Sequence, residues 1–208
     1  VSVWETVTWA VARAGGLTAY VLLTAAVVMG LALSLRWQSA RWPRLINNEW
    51  HNYLTLLSLI FVGVHVLAVW VDPFTHFGLT EIWIPLASTY RPQWLAFGIV
   101  GLYLGLAIGI STWLRPIIGY QLWRHLHVLT LVLYALVTVH GIGTGSDTSS
   151  WWALGIYIVS IGIVGTLVVV RLLGTDSGTG QQRTHTPAQH RPTTPASPES
   201  RVLVPPRG

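Results

Sequence analysis

The sequence predicts an all-α protein: a polytopic bundle of about five transmembrane helices, followed by a disordered cytoplasmic tail. Three observations predict it. The 208 residues are 52% hydrophobic and only 9% charged, against about 25% charged in an ordinary soluble domain, and the mean hydropathy is +0.55. Several apolar runs approach or exceed the ~20 residues that cross a bilayer. They are continuous rather than alternating, so of the two architectures a bilayer admits, helices and closed barrels, they fit helices. Finally, composition changes abruptly at Gly174, dividing the chain into a membrane domain over 1–173 and a Thr/Pro-rich tail over 174–208.

The elements follow in order. Val1–Val7 is a short lead without the basic start of a signal peptide. The first span covers about Trp9–Leu35, with Arg13 in its first turn. The loop Arg36–Asn48 carries Arg36, Arg41 and Arg44, and short arginine-rich loops stay in the cytoplasm. The N-terminus is then outside. The second span, Trp50–Val71, runs outward. Asp72–Gln93 is an external connection broken by Pro73, Pro85 and Pro92, in which FGLTEIWIPLAS reads as a short interfacial helix. The third span, Trp94–Trp113, carries Gly98, Gly101, Gly105 and Gly109, small residues whose spacing lets helices approach closely. Leu114–Trp123 is cytoplasmic and leads into the fourth span, Trp123–Ile142. Gly143–Ser150 turns outside, and the fifth span, Trp151–Leu173, returns and ends near Arg171. Six arginines fall inside (Arg36, Arg41, Arg44, Arg115, Arg124, Arg171) and two outside (Arg13, Arg91). The tail is too poor in apolar residues to offset its chain entropy.

Composition also removes function classes. There is no cysteine, so disulfides, iron–sulfur ligation, thiolate haem ligands and covalent haem attachment are excluded for these residues. All twelve basic residues are arginine. Their place in loops and tail makes the net charge of +5 a report of topology rather than of nucleic-acid binding.

Four histidines carry the chemistry. His51 and His65 lie fourteen residues apart in the second span, which is ~21 Å along a helix and about 40° from one face. His127 and His140 lie thirteen apart in the fourth, a rise of ~20 Å. The two spans run in the same direction, so His51 is level with His127 near the cytoplasm, and His65 with His140 near the outside. Ionisable groups within a membrane are costly and call for a function. One imidazole from each helix can reach a haem iron from opposite faces, giving two haems stacked across the bilayer. Thirteen residues turn an ideal helix about 220°, so His127 and His140 need a π-bulge or bend to share a face. His125, fifteen before His140 and about 60° off, is the competing ligand. Haem propionates are anionic. Arg124 at the inner level, with Arg91 and Arg13 at the outer, are their candidate partners. His76, His185 and His190 lie in loop or tail.

His51 and His65, together with His127 and His140 in WRHLHVLTLVLYALVTVHG, resemble the ferric reductase-like transmembrane family. That family includes the membrane parts of ferric reductases and NADPH oxidases, and the haem subunit of the periplasmic methionine sulfoxide reductase system. WAVARAGGLTAYVLLTAAVVMGLALS, FGLTEIWIPLASTYRPQW and GIGTGSDT resemble its bacterial branch, and the likeness covers about Trp9–Leu172. The resemblance implies two b-type haems, ligated by His51 with His127 and by His65 with His140. It also implies electron flow outward from the cytoplasmic or quinone side. No flavin- or NADPH-binding domain stands in these residues, so a separate flavoprotein or quinol is expected as donor. An external acceptor or reductase subunit is expected as partner, and no catalytic domain within the chain.

The competing reading is a histidine-based proton or metal-ion transporter. It calls for carboxylates within the spans. Glu5, Glu49, Asp72, Glu81, Asp147, Asp176 and Glu199 all lie at ends, loops or tail, which favours haem.

Overall fold

The computed structural model describes residues 2–35, 44–73 and 77–176. Among them the regular elements are all helices: α1 Val3–Ser34, α2 Arg44–Val71, α3 Leu79–Trp83, α4 Pro92–Trp113, α5 Arg115–Ile118, α6 Tyr120–Val128, α7 Thr130–Thr144 and α8 Trp151–Asp176. Five stretches are long and apolar enough to cross a membrane: α1, Leu45–Val71 of α2, α4, Tyr120–Thr144 formed by α6 with α7, and Trp151–Leu173 of α8. This is a multi-pass membrane protein.

The helix ends follow from local chemistry. α1 starts at Val3, earlier than the expected Trp9, because Ser2 and Glu5 form a capping box. The Ser2 hydroxyl accepts from the Glu5 amide at 3.1 Å, and the Glu5 carboxylate accepts from the Ser2 amide at 2.9 Å. α2 likewise begins at Arg44 and absorbs part of the expected Arg36–Asn48 loop; Arg36 and Arg41 lie outside the described residues. The interfacial helix expected in FGLTEIWIPLAS shortens to the single turn α3, whose Trp83 carbonyl accepts from the Tyr103 hydroxyl at 2.5 Å. Pro92 opens α4 at its first turn, where no amide is required. α8 runs on to Asp176; the rest of the expected tail, and His76, His185 and His190, lie outside the described residues.

Packing is pairwise. α1 and α2 form the most extensive helix pair, α4 packs on α7, and α1 also meets α7 and α8. The central cluster joins Tyr20, Val27 and Leu31 of α1 to Tyr134 of α7 and to Tyr157 and Val164 of α8. Two of its three tyrosine hydroxyls are bonded within the bundle, which lowers the cost of burying them away from water. The Tyr20 and Tyr134 hydroxyls lie 3.1 Å apart, and Thr138 Oγ1 donates to Tyr20 Oη at 3.4 Å. Ser58 Oγ donates to the Ala19 carbonyl at 3.0 Å, tying α2 to α1. The outward faces carry large apolar side chains such as Leu56, Ile60, Leu67, Ile158 and Val159, all exposed, as lipid contact demands.

Candidate functional site

α2 faces α6 and α7 across a gap rather than packing on them, and the histidines meet across that gap. The His51 and His127 ring centroids are 6.0 Å apart with planes at 76°, and those of His65 and His140 are 6.3 Å apart at 75°. The four histidines are therefore gathered into two pairs, one towards each end of the bundle. Among the described residues no three His, Cys, Asp or Glu side chains converge as a bare metal ion would need. Each pair offers two ligands, and a macrocycle would have to supply the rest.

The pairs fit that role in two respects. Two metal–imidazole bonds of about 2.0–2.1 Å, plus about 1.1 Å from each nitrogen to its ring centre, put rings sharing one metal about 6.3 Å apart. Both observed separations match. The tautomers also suit ligation. His51 Nδ1 lies 2.8 Å from the Ala26 carbonyl, His65 Nδ1 2.7 Å from that of Ala12, and His140 Nδ1 3.0 Å from that of Trp94. A carbonyl only accepts, so each Nδ1 carries the proton and Nε2 keeps the lone pair a metal takes. Bonds of this kind orient metal-binding imidazoles.

His127 rather than His125 stands opposite His51. The mismatch of about 220° in an ideal helix is eased at Leu129, where the span is interrupted between α6 and α7. The Leu129 amide donates to the Leu126 carbonyl at 3.1 Å, a tightened i→i−3 turn rather than a π-bulge. At about 120° per residue such a turn overwinds the helix, the shorter way to bring His127 and His140 to one side. His125 lines a different place, with Nδ1 at 2.8 Å from the Gln121 carbonyl. It belongs to a cavity of about 600 Å³ lined by Tyr120, Gln121, Arg124, His125, Val128 and Arg171.

The other predicted site residues are arginines. Arg124 lines that cavity towards the His51 end. Arg91, left-handed at φ 41° just before Pro92, donates from its guanidinium to the Gly143 carbonyl at 2.5 Å. Arg13 pairs with Asp147 and lies 3.9 Å above the Trp9 ring. Both sit towards the His65 end and tie separate elements together there.

Sequence reasoning missed the groups that hold the imidazoles. The Ala12 and Ala26 carbonyls are fourteen residues apart, as are Gly16 and Gly30, and so are His51 and His65 on the antiparallel neighbour. A Cβ on Gly16 would lie 2.9 Å from His65 Nδ1, and one on Gly30 3.3 Å from His51 Cε1. That shared spacing was the available signal. Gly101 and Gly105 do serve helix packing, against Leu133 and Val137, whereas Gly98 lies under the His140 ring.

Comparison with protein families gives one match that bears on this arrangement. A family described as ferric reductase like transmembrane component matches residues 15–138, more than half of the chain. Comparisons with curated proteins and with solved structures returned no match.

Proposed function

The chain belongs to the ferric reductase-like transmembrane family, and from that premise we propose that it carries electrons across the membrane through two b-type haems. His51 with His127 would hold one, and His65 with His140 the other. The observation that carries this reading is the pair of ring separations, 6.0 and 6.3 Å, with three of the four Nδ1 atoms turned away onto backbone carbonyls.

Haem held by these residues would supply a one-electron couple, and with two protein ligands it would offer substrate no open position. The chain's residues do the remaining work. The carbonyls fix the tautomer and plane of three rings. The apolar spans exclude water, so neutral imidazoles avoid the cost of a charge in lipid. Arg124 at one level, and Arg91 with Arg13 at the other, are the cations for the propionates. The arginine bias puts the His51 end in the cytoplasm, with a flavoprotein or quinol as donor there and the acceptor or reductase partner outside.

The transporter alternative lacks the groups it needs. Among the described residues Glu5, Glu49, Asp72, Glu81, Asp147 and Asp176 all lie at helix ends or connections. Of these, Asp72 accepts from Thr8 at 2.7 Å and Asp147 is paired with Arg13. The test is an absorption spectrum and pyridine haemochrome of protein produced with ample haem. Two haems per chain are expected, falling to one in His65→Ala. A colourless preparation would remove the proposal, and loss of both haems, or neither, in His65→Ala would break the pairing.

A further inference from the structure

Three of the four histidines are seated in one way. Each bonds a carbonyl on a neighbouring helix and rests on a glycine four residues further along: Ala12 and Gly16 for His65, Ala26 and Gly30 for His51, Trp94 and Gly98 for His140. The spacing has a reason. A helical carbonyl is already bonded to the amide four residues on, and a side chain there would cover its second lone pair. Glycine leaves that lone pair open to the ring. A Cβ on Gly98 would lie 2.6 Å from His140 Nδ1, closer than atoms can approach.

His127 has no such seat. Along α4 and α7, Gly98 meets His140, Gly101 meets Val137 and Gly105 meets Leu133, so each step forward on one helix matches an equal step back on the other. Continued, that register brings His127 level with Ser111 and Thr112. No glycine stands there. Ser111 Oγ and Thr112 Oγ1 both donate to the Ile108 carbonyl, at 2.8 and 2.9 Å, and Ile108 lies four residues before Thr112. Where a fourth seat would need glycine stand two side chains, and their hydroxyls are bonded back to the carbonyl of their own helix. Trp123 stacks on the His127 ring with centroids 4.9 Å apart and donates Nε1–H to Thr112 Oγ1 at 3.2 Å. His127 Nδ1 is buried without a hydrogen-bond partner.

We propose that Ser111 and Thr112 are positioning residues that make the two metal sites unequal, by denying His127 the carbonyl anchor its three counterparts have. This rests on the haem reading above. An anchored Nδ1–H makes imidazole a more basic ligand and favours the oxidised metal. The His65/His140 site has two anchored ligands and the His51/His127 site has one. The His51/His127 site therefore has the higher reduction potential, and an electron crossing the bundle rests there.

Redox titration of the full haem-loaded chain tests this. Two midpoint potentials are expected, and the haem that survives in His65→Ala should be the higher. In Ser111→Gly/Thr112→Gly both hydroxyls and the side chains that cover the Ala107 and Ile108 carbonyls are removed, so the higher potential should fall towards the lower while the lower stays in place. Thr166→Val is the control, because it removes a hydroxyl that caps the Gly162 carbonyl on the outward side of α8; neither potential should move. Surviving haem of lower potential in His65→Ala would overturn the inference, even if the double variant fails to fold. Unchanged potentials in a double variant that keeps both haems would also overturn it. Protein that binds no haem defeats the proposed function first, and this inference with it.

Discussion

At the scale of single residues, the site depends on what is missing as much as on what is present. His140 lies on Gly98, while Gly109 on the same helix has nothing within 4 Å of the place its Cβ would take. Gly98→Leu should therefore displace His140 and cut haem from two per chain to one by pyridine haemochrome. Gly109→Leu should keep both. Equal loss in the two variants would mean that α4 tolerates no added bulk anywhere, and that Gly98 has no special role. A second residue-scale expectation concerns Thr8, which is buried and donates to Asp72 at 2.7 Å. Thr8→Val removes a hydrogen bond to a buried carboxylate, a loss of about 1.5–3 kcal/mol. In a chain this size each kcal/mol shifts the melting temperature by roughly 2–4 °C. A thermal melt in detergent showing no decrease would mean that other partners of Asp72 suffice. The histidines themselves were legible in the sequence, because imidazoles in apolar runs stand out. Their anchors were not. A backbone carbonyl has no side-chain signature, and the partnership of Arg13 with Asp147 joins residues 134 positions apart, 147 minus 13.

At the scale of elements, the fourth span shows what periodicity can and cannot say. Counting residues reveals that His127 and His140 do not share a face of an ideal helix. It does not say where the helix yields. The structure places the break at Leu129, where Thr130 Oγ1 also donates to the His127 carbonyl at 2.5 Å. A threonine hydroxyl bonded back to the preceding turn competes with the regular backbone ladder, and nothing in the apolar pattern marks which threonine does so. Helix starts were more legible. The Ser2-x-x-Glu5 box that opens α1 was readable as a capping motif, and the early start of α2 at Arg44 directly follows Pro43 in the sequence, a residue common at helix starts. The break yields a prediction. One alanine inserted between Leu129 and Thr130 turns α6 by about 100° relative to α7. His127 then leaves the level of His51, while His65 and His140 keep theirs. Haem content should fall to one per chain, and a further His65→Ala substitution should remove the rest. Two haems retained in the insertion variant would show that α6 slides to compensate and that Leu129 sets no register.

At the scale of the molecule, the two ends differ in charge, and under the proposed function that difference gives the direction expected for electrons. α1 and α2 are antiparallel, with Ala12 against His65 and Ala26 against His51, and α4 and α7 likewise, with Trp94 against His140. The five spans therefore alternate. Arg44, Arg115, Arg124 and Arg171 fall at the His51 end, with Arg36 and Arg41 in the connection from α1 to α2, while Arg13 and Arg91 fall at the other. Arginine in short connections is retained on the cytoplasmic side, so the His51 end is expected to face inward. The absence of cysteine from the sequence makes single-cysteine reporters clean. Ser149 is exposed in the connection before α8 at the His65 end, and Ile117 is 81% exposed in α5 at the His51 end. On intact cells a membrane-impermeant maleimide should label Ser149→Cys and spare Ile117→Cys until the membrane is opened. The reverse pattern would invert the bundle. The site with one unanchored imidazole would then face outward, the donor would have to meet the His65 end, and a charge count taken from the sequence would have misjudged the direction of flow while leaving the paired histidines where they are.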